Sequence, residues 1–193
     1  MARIVATEFI SIDGVMEAPG GGENEDYRHA GWSFEIGASD EGARFKLSEA
    51  LSADALLLGR KTYEGFAASW PSAQGEFADK FNGMPKYVIT STLQEGSWNN
   101  TTLLKGDVVD EVSTLKRAPG GDIVIYGSAT VVQTLLEHGL IDELRLMVIP
   151  VVLGSGRTLF GAAEDKTRMR LKETKIMDNG VVILIYEPFG ETP

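Results

Sequence analysis

Apolar positions along this chain follow two rhythms. Short runs rich in β-branched residues, Ile4–Ile10, Ala55–Leu58, 86–90 (KYVIT) and Ile123–Tyr126, read as strands, and 101–104 reads as a shorter one. Helical spacing appears at Ala43, Leu47, Ala50 and Leu51, which predicts a helix over 40–52. Further helices are expected at about 60–69, ending before Pro71, and at 108–117, capped by Asp107 and stopped by Pro119-Gly120-Gly121. A helix over 129–138 is closed by Gly139. From residue 143 on, the pattern is strand only. A long strand over 143–153 carries Pro150, which suggests an edge or a bulge. Strands 168–177 and 181–187 are joined by the hairpin signal Asp178-Asn179-Gly180. Helices and strands alternate first and antiparallel strands finish the chain. This predicts an α/β protein with a mixed, mostly parallel central sheet, and one domain over 1–193. Ligands of such sheets sit beyond the carboxyl ends of the strands.

Two strand-to-helix corners stand out at those ends. Ala55–Leu58 runs into Gly59-Arg60-Lys61-Thr62, and Ile123–Tyr126 runs into Gly127-Ser128-Ala129-Thr130. A helix start carries roughly half a positive charge and unpaired N–H donors, so it suits a phosphate. Arg60, Lys61 and the Thr62 hydroxyl would add anion-binding side chains. The bland alternatives are an ordinary charged helix start at Gly59 and a Ser128 N-cap at Gly127.

The 193 residues suffice for one domain with a substantial core, and 43% hydrophobic against 24% charged content is that of an ordinary globular protein. A net charge of −10 argues against sequence-independent nucleic-acid binding, and any anionic ligand must then be held by local cations. The absence of cysteine removes disulfides, thiolate catalysis and cysteine-based zinc sites, and fits a cytoplasmic location. The start of the chain reads as a strand rather than a signal peptide, and no apolar run approaches a membrane span.

The ordered pieces SIDG (11–14), LLLGRKTYEGF (57–66), PKYVITST (85–92), IVIYGSATVVQTLL (123–136), GLIDELRLMVIPVVLGSG (139–156) and RTLF (157–160) resemble the dihydrofolate reductase superfamily. The likeness is greatest to the C-terminal reductase domain of the bifunctional riboflavin-biosynthesis deaminase–reductase and its stand-alone bacterial forms. The resemblance implies a three-layer dihydrofolate-reductase-like fold, NADPH as cofactor, and hydride transfer to a small pterin- or pyrimidine-like heterocycle. It implies that Gly59, Arg60, Lys61 and Thr62 grip the cofactor phosphates. Ser91 and Thr92 would lie near the adenosine ribose and its 2′-phosphate, and Gly127, Ser128, Ala129 and Thr130 would lie under the pyrophosphate and nicotinamide. Relatives of this kind often pair, so a homodimer through strands 143–187 is expected. The chain departs from the pattern in places. The carboxylate of folate reductases falls near Ala43, their tail-binding arginine near Pro85, the riboflavin-type glutamate at Ser128 or Ala129, and a basic residue is missing near Thr130. These departures motivate an alternative, a dinucleotide-binding protein without turnover that acts as a sensor or partner.

Asp13, at the end of the first strand, is the candidate acid for orienting substrate or relaying a proton, against a turn aspartate bonded to its own backbone. Trp32 and Phe34 follow a glycine-rich loop (17–31) and are candidates for a stacking wall or for plain core. Leu47 and Ser48 are candidates to face the substrate. His29 and His138 have no partner at ligand spacing, so no metal site is expected. The acidic run Glu23–Asp26 reads as solvated loop, and Gly154-Ser155-Gly156 is a weak phosphate signal.

Overall fold

The computed structural model describes residues 1–22, 24, 26–161 and 165–189; of the acidic run, Glu23 and Glu25 lie outside the described residues. In chain order the elements are β1 (Arg3–Ser11), α1 (Asp40–Ser52), β2 (Ala53–Gly59), α2 (Arg60–Ser69), α3 (Glu76–Gly83), β3 (Lys86–Ile89), β4 (Thr101–Leu104), α4 (Val108–Arg117), β5 (Asp122–Tyr126), α5 (Ala129–Glu137), β6 (Glu143–Ile149), β7 (Met169–Ile176) and β8 (Val182–Pro188). One sheet holds the strands in the order β4-β3-β2-β5-β1-β6-β8-β7. All neighbours from β4 to β6 are parallel, and β8 pairs antiparallel with both β6 and β7. This is the mixed α/β sheet that the alternation of patterns predicts.

Strict alternation along the strands builds the layers. Ile4, Ala6, Leu57, Ile123 and Ile125 face α4 and α5, where Val112, Val132 and Leu135 close a core. Val5, Leu56, Leu58 and Val124 point the other way, against Ala50 of α1, Tyr63 of α2 and Phe81 of α3. Local chemistry places the helix ends. Ser39 Oγ accepts from Gly42 N–H at the start of α1, and the Asp107 carboxylate accepts from Val109 and Asp110 at the start of α4.

Two features differ from the pattern-based expectation. Helix α3 lies in a stretch with no legible period; eight residues give only the Phe77/Phe81 pair at i,i+4, both of which pack against Trp70. Strand β6 stops at Ile149, not at 153, because Pro150 has no N–H to continue the ladder. It is also not an edge: it lies between β1 and β8, where the sheet changes from parallel to antiparallel.

A charged network sits where α1 crosses β1, β5 and β6. The Glu49 carboxylate, 1% exposed, accepts from Lys46 and Tyr126 on Oε1 and from Arg145 at 3.0 Å on Oε2. Burial by itself would raise the Glu49 carboxyl, but Lys46 and Arg145 outweigh it and hold it below the usual range. Glu143 is treated alike: despite burial, bonds from Lys172, Arg145 and Arg3 lower it from 4.5 to about 2. A carboxyl depressed in the folded state stabilises fully above pH 4.5 and loses that contribution as pH falls toward 2. Glu143 is therefore expected to account for about 2–3 kcal/mol of acid lability. In unfolding curves taken between pH 5 and 2, Glu143→Gln should flatten the decline, and an unchanged slope would refute the assignment.

Candidate functional site

The carboxyl ends of β2 and β5 are adjacent, and the two glycine corners lie side by side. Gly59 N–H donates to Ser128 Oγ at 2.9 Å, and Thr62 Oγ1 donates to the Gly127 carbonyl at 2.9 Å. Ser128 Oγ in turn donates to the Tyr126 carbonyl at 3.1 Å, and Gly127 N–H donates to Glu8 Oε2 at 2.7 Å. Gly127 needs its left-handed φ of 63° for this bend, whereas Gly59 is extended. Neither α2 nor α5 carries a side-chain cap, so both present first-turn N–H groups outward.

These side-chain bonds correct part of the expectation. Thr62 and Ser128 are buried, and their hydroxyls serve the clasp between the corners rather than an incoming anion. Ser128 is the N-cap residue of α5, but its side chain makes no cap hydrogen bond. Thr130 is exposed and lines none of the three cavities described below.

The first cavity, of about 420 Å³, is bordered by Arg60, Lys61, Thr62, Gly127 and Ala129. Its far wall comes from two segments that meet across the molecule. Residues 14–17 run antiparallel to 157–159, with Met16 N–H on the Arg157 carbonyl and Arg157 N–H on Glu17 Oε2 at 2.8 Å. This brings Arg157 opposite Arg60 and Lys61, three cations at one cavity in a chain of net charge −10. Arg60 pairs with Glu64 at 2.8 Å. The bonds from Arg157 N–H and Asn24 hold the Glu17 carboxyl below the usual range. Arg60 also borders a second cavity, of about 370 Å³, with Ser91, Thr92 and Lys105 at the ends of β3 and β4.

A third cavity, of about 260 Å³, lies over the ends of β1 and β6 beneath α1. Phe9, Phe34, Met147 and Met177 give it apolar walls; Ala43 and Lys46 enter from α1. Phe34 is 73% exposed and serves as wall, but Trp32 does not: its ring is 1% exposed, and its indole N–H donates to the Glu17 carbonyl. A ring that is fully enclosed has no face to stack on a ligand. Leu47 and Ser48 do not line this cavity, while Lys46 on the same helix does. Asp13 is also corrected. Its carboxylate accepts from Ser11 Oγ, Gly154 N–H and Leu153 N–H at 2.6, 2.7 and 3.1 Å, bonds that lower it to about 2. It staples the first turn to the 153–154 loop as an ion and is no proton donor near neutral pH. The glycine turn 154–156 is part of that staple.

Sequence reasoning missed Glu17, Lys46, Lys105 and Arg157. Lys105 was findable as a lone cation just after a strand, and Lys46 by its i,i+3 spacing to Glu49 on the sheet-facing side of α1. Among the described residues no group of three or more acidic or histidine side chains could hold a metal, and no helix is long and apolar enough to cross a membrane.

Fold and geometry together define the class, a dihydrofolate-reductase-like α/β protein whose clefts open at the carboxyl ends of its parallel strands. The chain belongs to the RibD C-terminal domain family, whose model matches residues 2–183. It is 32% identical to the uncharacterized protein YyaP of Bacillus subtilis over 138 residues, 69% of this chain and 73% of that protein. It is 34% identical to YwjB of the same organism over 122 residues, 63% and 67% of the two chains. Two solved structures share the fold. A protein provisionally assigned to riboflavin biosynthesis from a Shewanella species superposes with TM-score 0.76 at 21% identity, covering 98% of this chain and 100% of that one. A pyrimidine reductase-like protein from Corynebacterium diphtheriae does so with TM-score 0.62 at 15% identity, covering 98% and 92%.

Proposed function

We propose that this chain is an NADPH-dependent reductase that transfers a hydride to a small pterin- or pyrimidine-like heterocycle, working as a cytoplasmic homodimer of one-domain subunits. Membership of the RibD C-terminal domain family supports the reductase class. The observation that carries the cofactor reading is the convergence of two uncapped helix starts and three cations on one cavity. The residues fit the group. The N–H groups at the starts of α2 and α5, with Arg60, Lys61 and Arg157, suit a pyrophosphate. Ser91, Thr92 and Lys105, reached past Arg60, suit a ribose carrying a 2′-phosphate. Bound there, NADPH supplies the hydride; the chain supplies position and charge. Lys105 answers for NADP over NAD in place of the basic residue absent near Thr130.

The test is a titration of the full chain with NADPH. Arg60→Ala should lose about 1–3 kcal/mol of binding, the scale of a charge-assisted hydrogen bond. An unchanged dissociation constant would overturn the site. A second reading, a dinucleotide-binding protein without turnover, is favoured by one observation: Asp13 is held ionised and Ala43 stands where folate reductases carry an acid, so no carboxyl lines the third cavity. NADPH binding with no pterin, pyrimidine or quinone reduced would select it.

A further inference from the structure

The third cavity has one charge. Of the residues lining it, Lys46 alone is ionisable, and the polar groups around it are engaged elsewhere. Ser33 Oγ donates to the Pro19 carbonyl at 2.6 Å and Ser39 Oγ caps α1. The Asn179 amide ties the β7–β8 turn to the Gly37 carbonyl at 3.2 Å.

Lys46 is held in place from behind. Its ammonium donates to Thr7 Oγ1 at 2.9 Å and to Glu49 Oε1, and it lies 4.5 Å from the Tyr126 ring centroid and 5.5 Å from that of Phe9. An ammonium has three donors, so one remains for a ligand. The other oxygen of Glu49 is taken by Arg145, which Glu143 also holds at 2.6 Å, and Lys46 is the cation of this network that borders the cavity. Tyr126 under Lys46 is followed at once by Gly127, which borders the first cavity.

We infer that this cavity takes a flat, largely apolar ligand that presents an anionic or carbonyl oxygen to Lys46, and that it rejects cationic rings. Its walls, Phe9, Phe34, Met147 and Met177, suit a planar apolar body. A protonated ring would meet an ammonium with no carboxylate lining the cavity to offset it. As the acceptor pocket, this rests on the reductase reading and narrows its substrate to carbonyl-bearing or anionic heterocycles.

The probes are 2-naphthoate and 2-naphthylmethylammonium, titrated by fluorescence against the full chain. Naphthoate is expected to bind at least tenfold more tightly than the ammonium. Ala43→Glu, at an exposed position that borders the cavity, should weaken naphthoate tenfold or more, and Lys46→Met should do the same. The Ala43 variant leaves the Glu49 network intact, so it decides the matter if Lys46→Met folds poorly. Equal affinity for the two probes, or naphthoate binding indifferent to Ala43→Glu, would overturn the proposal. NADPH titration of the unaltered chain reads the cofactor site separately. Charge selection without NADPH binding keeps the pocket and ends the reductase reading; NADPH binding without charge selection does the reverse.

Discussion

Glu49→Ala is expected to cost about 3–5 kcal/mol of folding stability, the scale for breaking a buried ion pair from one side. The carboxylate is 1% exposed and is shared by Lys46, Arg145 and the Tyr126 hydroxyl. Its removal leaves the Lys46 ammonium facing Thr7 and two aromatic rings, and Tyr126, whose hydroxyl is pushed far up by burial and by Glu49, loses its acceptor. Arg145 suffers less, because Glu143 also holds it at 2.6 Å. The double variant Lys46→Met/Glu49→Leu should therefore recover much of the loss, since it removes both charges and fills the space. Urea unfolding of the three proteins checks this. A Glu49→Ala loss below about 1 kcal/mol would mean that the network is no stronger than a surface pair.

Gly156→Ala is expected to cost about 2–4 kcal/mol and to weaken NADPH binding with it. Gly156 has φ of 120°, a region that side-chain-bearing residues rarely enter, and a Cβ there would meet Tyr27 Oη and Val15 Cγ1 at 2.7 Å each. Neither neighbour can yield easily. Tyr27 donates to the Ser155 carbonyl at 2.6 Å, and Val15 bridges to Thr158. The next residue is Arg157, so relief of the clash moves a cation of the first cavity. Gly154→Ala is the control: its φ is 72° but nothing lies within 4 Å of the added atom. It should cost about 1 kcal/mol from backbone strain alone. Equal losses at the two positions would show that packing at Gly156 is unimportant. A stability loss with unchanged NADPH affinity would remove Arg157 from the cofactor site.

Much of this architecture could be read along the chain. The four apolar runs through Tyr126 became strands, Asp107 caps α4, and Asp178-Asn179-Gly180 turns the last hairpin. These signals are local. A strand's alternation, a cap and a turn are settled by residues within a few positions of one another, so a linear pattern carries them. The two glycine corners were legible for the same reason, as was the family through the order of its pieces.

What tertiary structure alone decided is adjacency. Insertion of β5 between β2 and β1 puts Gly127 beside Gly59, and the meeting of residues 14–17 with 157–159 carries Arg157 to the same cavity. The packing of α1 on the sheet sets Lys46 but not Leu47 at a cavity, encloses Trp32 under the β8 side, and leaves Asp13 bonded to a loop 140 residues on. Side-chain identity cannot specify such outcomes, because a lysine or an aspartate acquires its role from the groups that long-range strand pairing and layer packing bring against it.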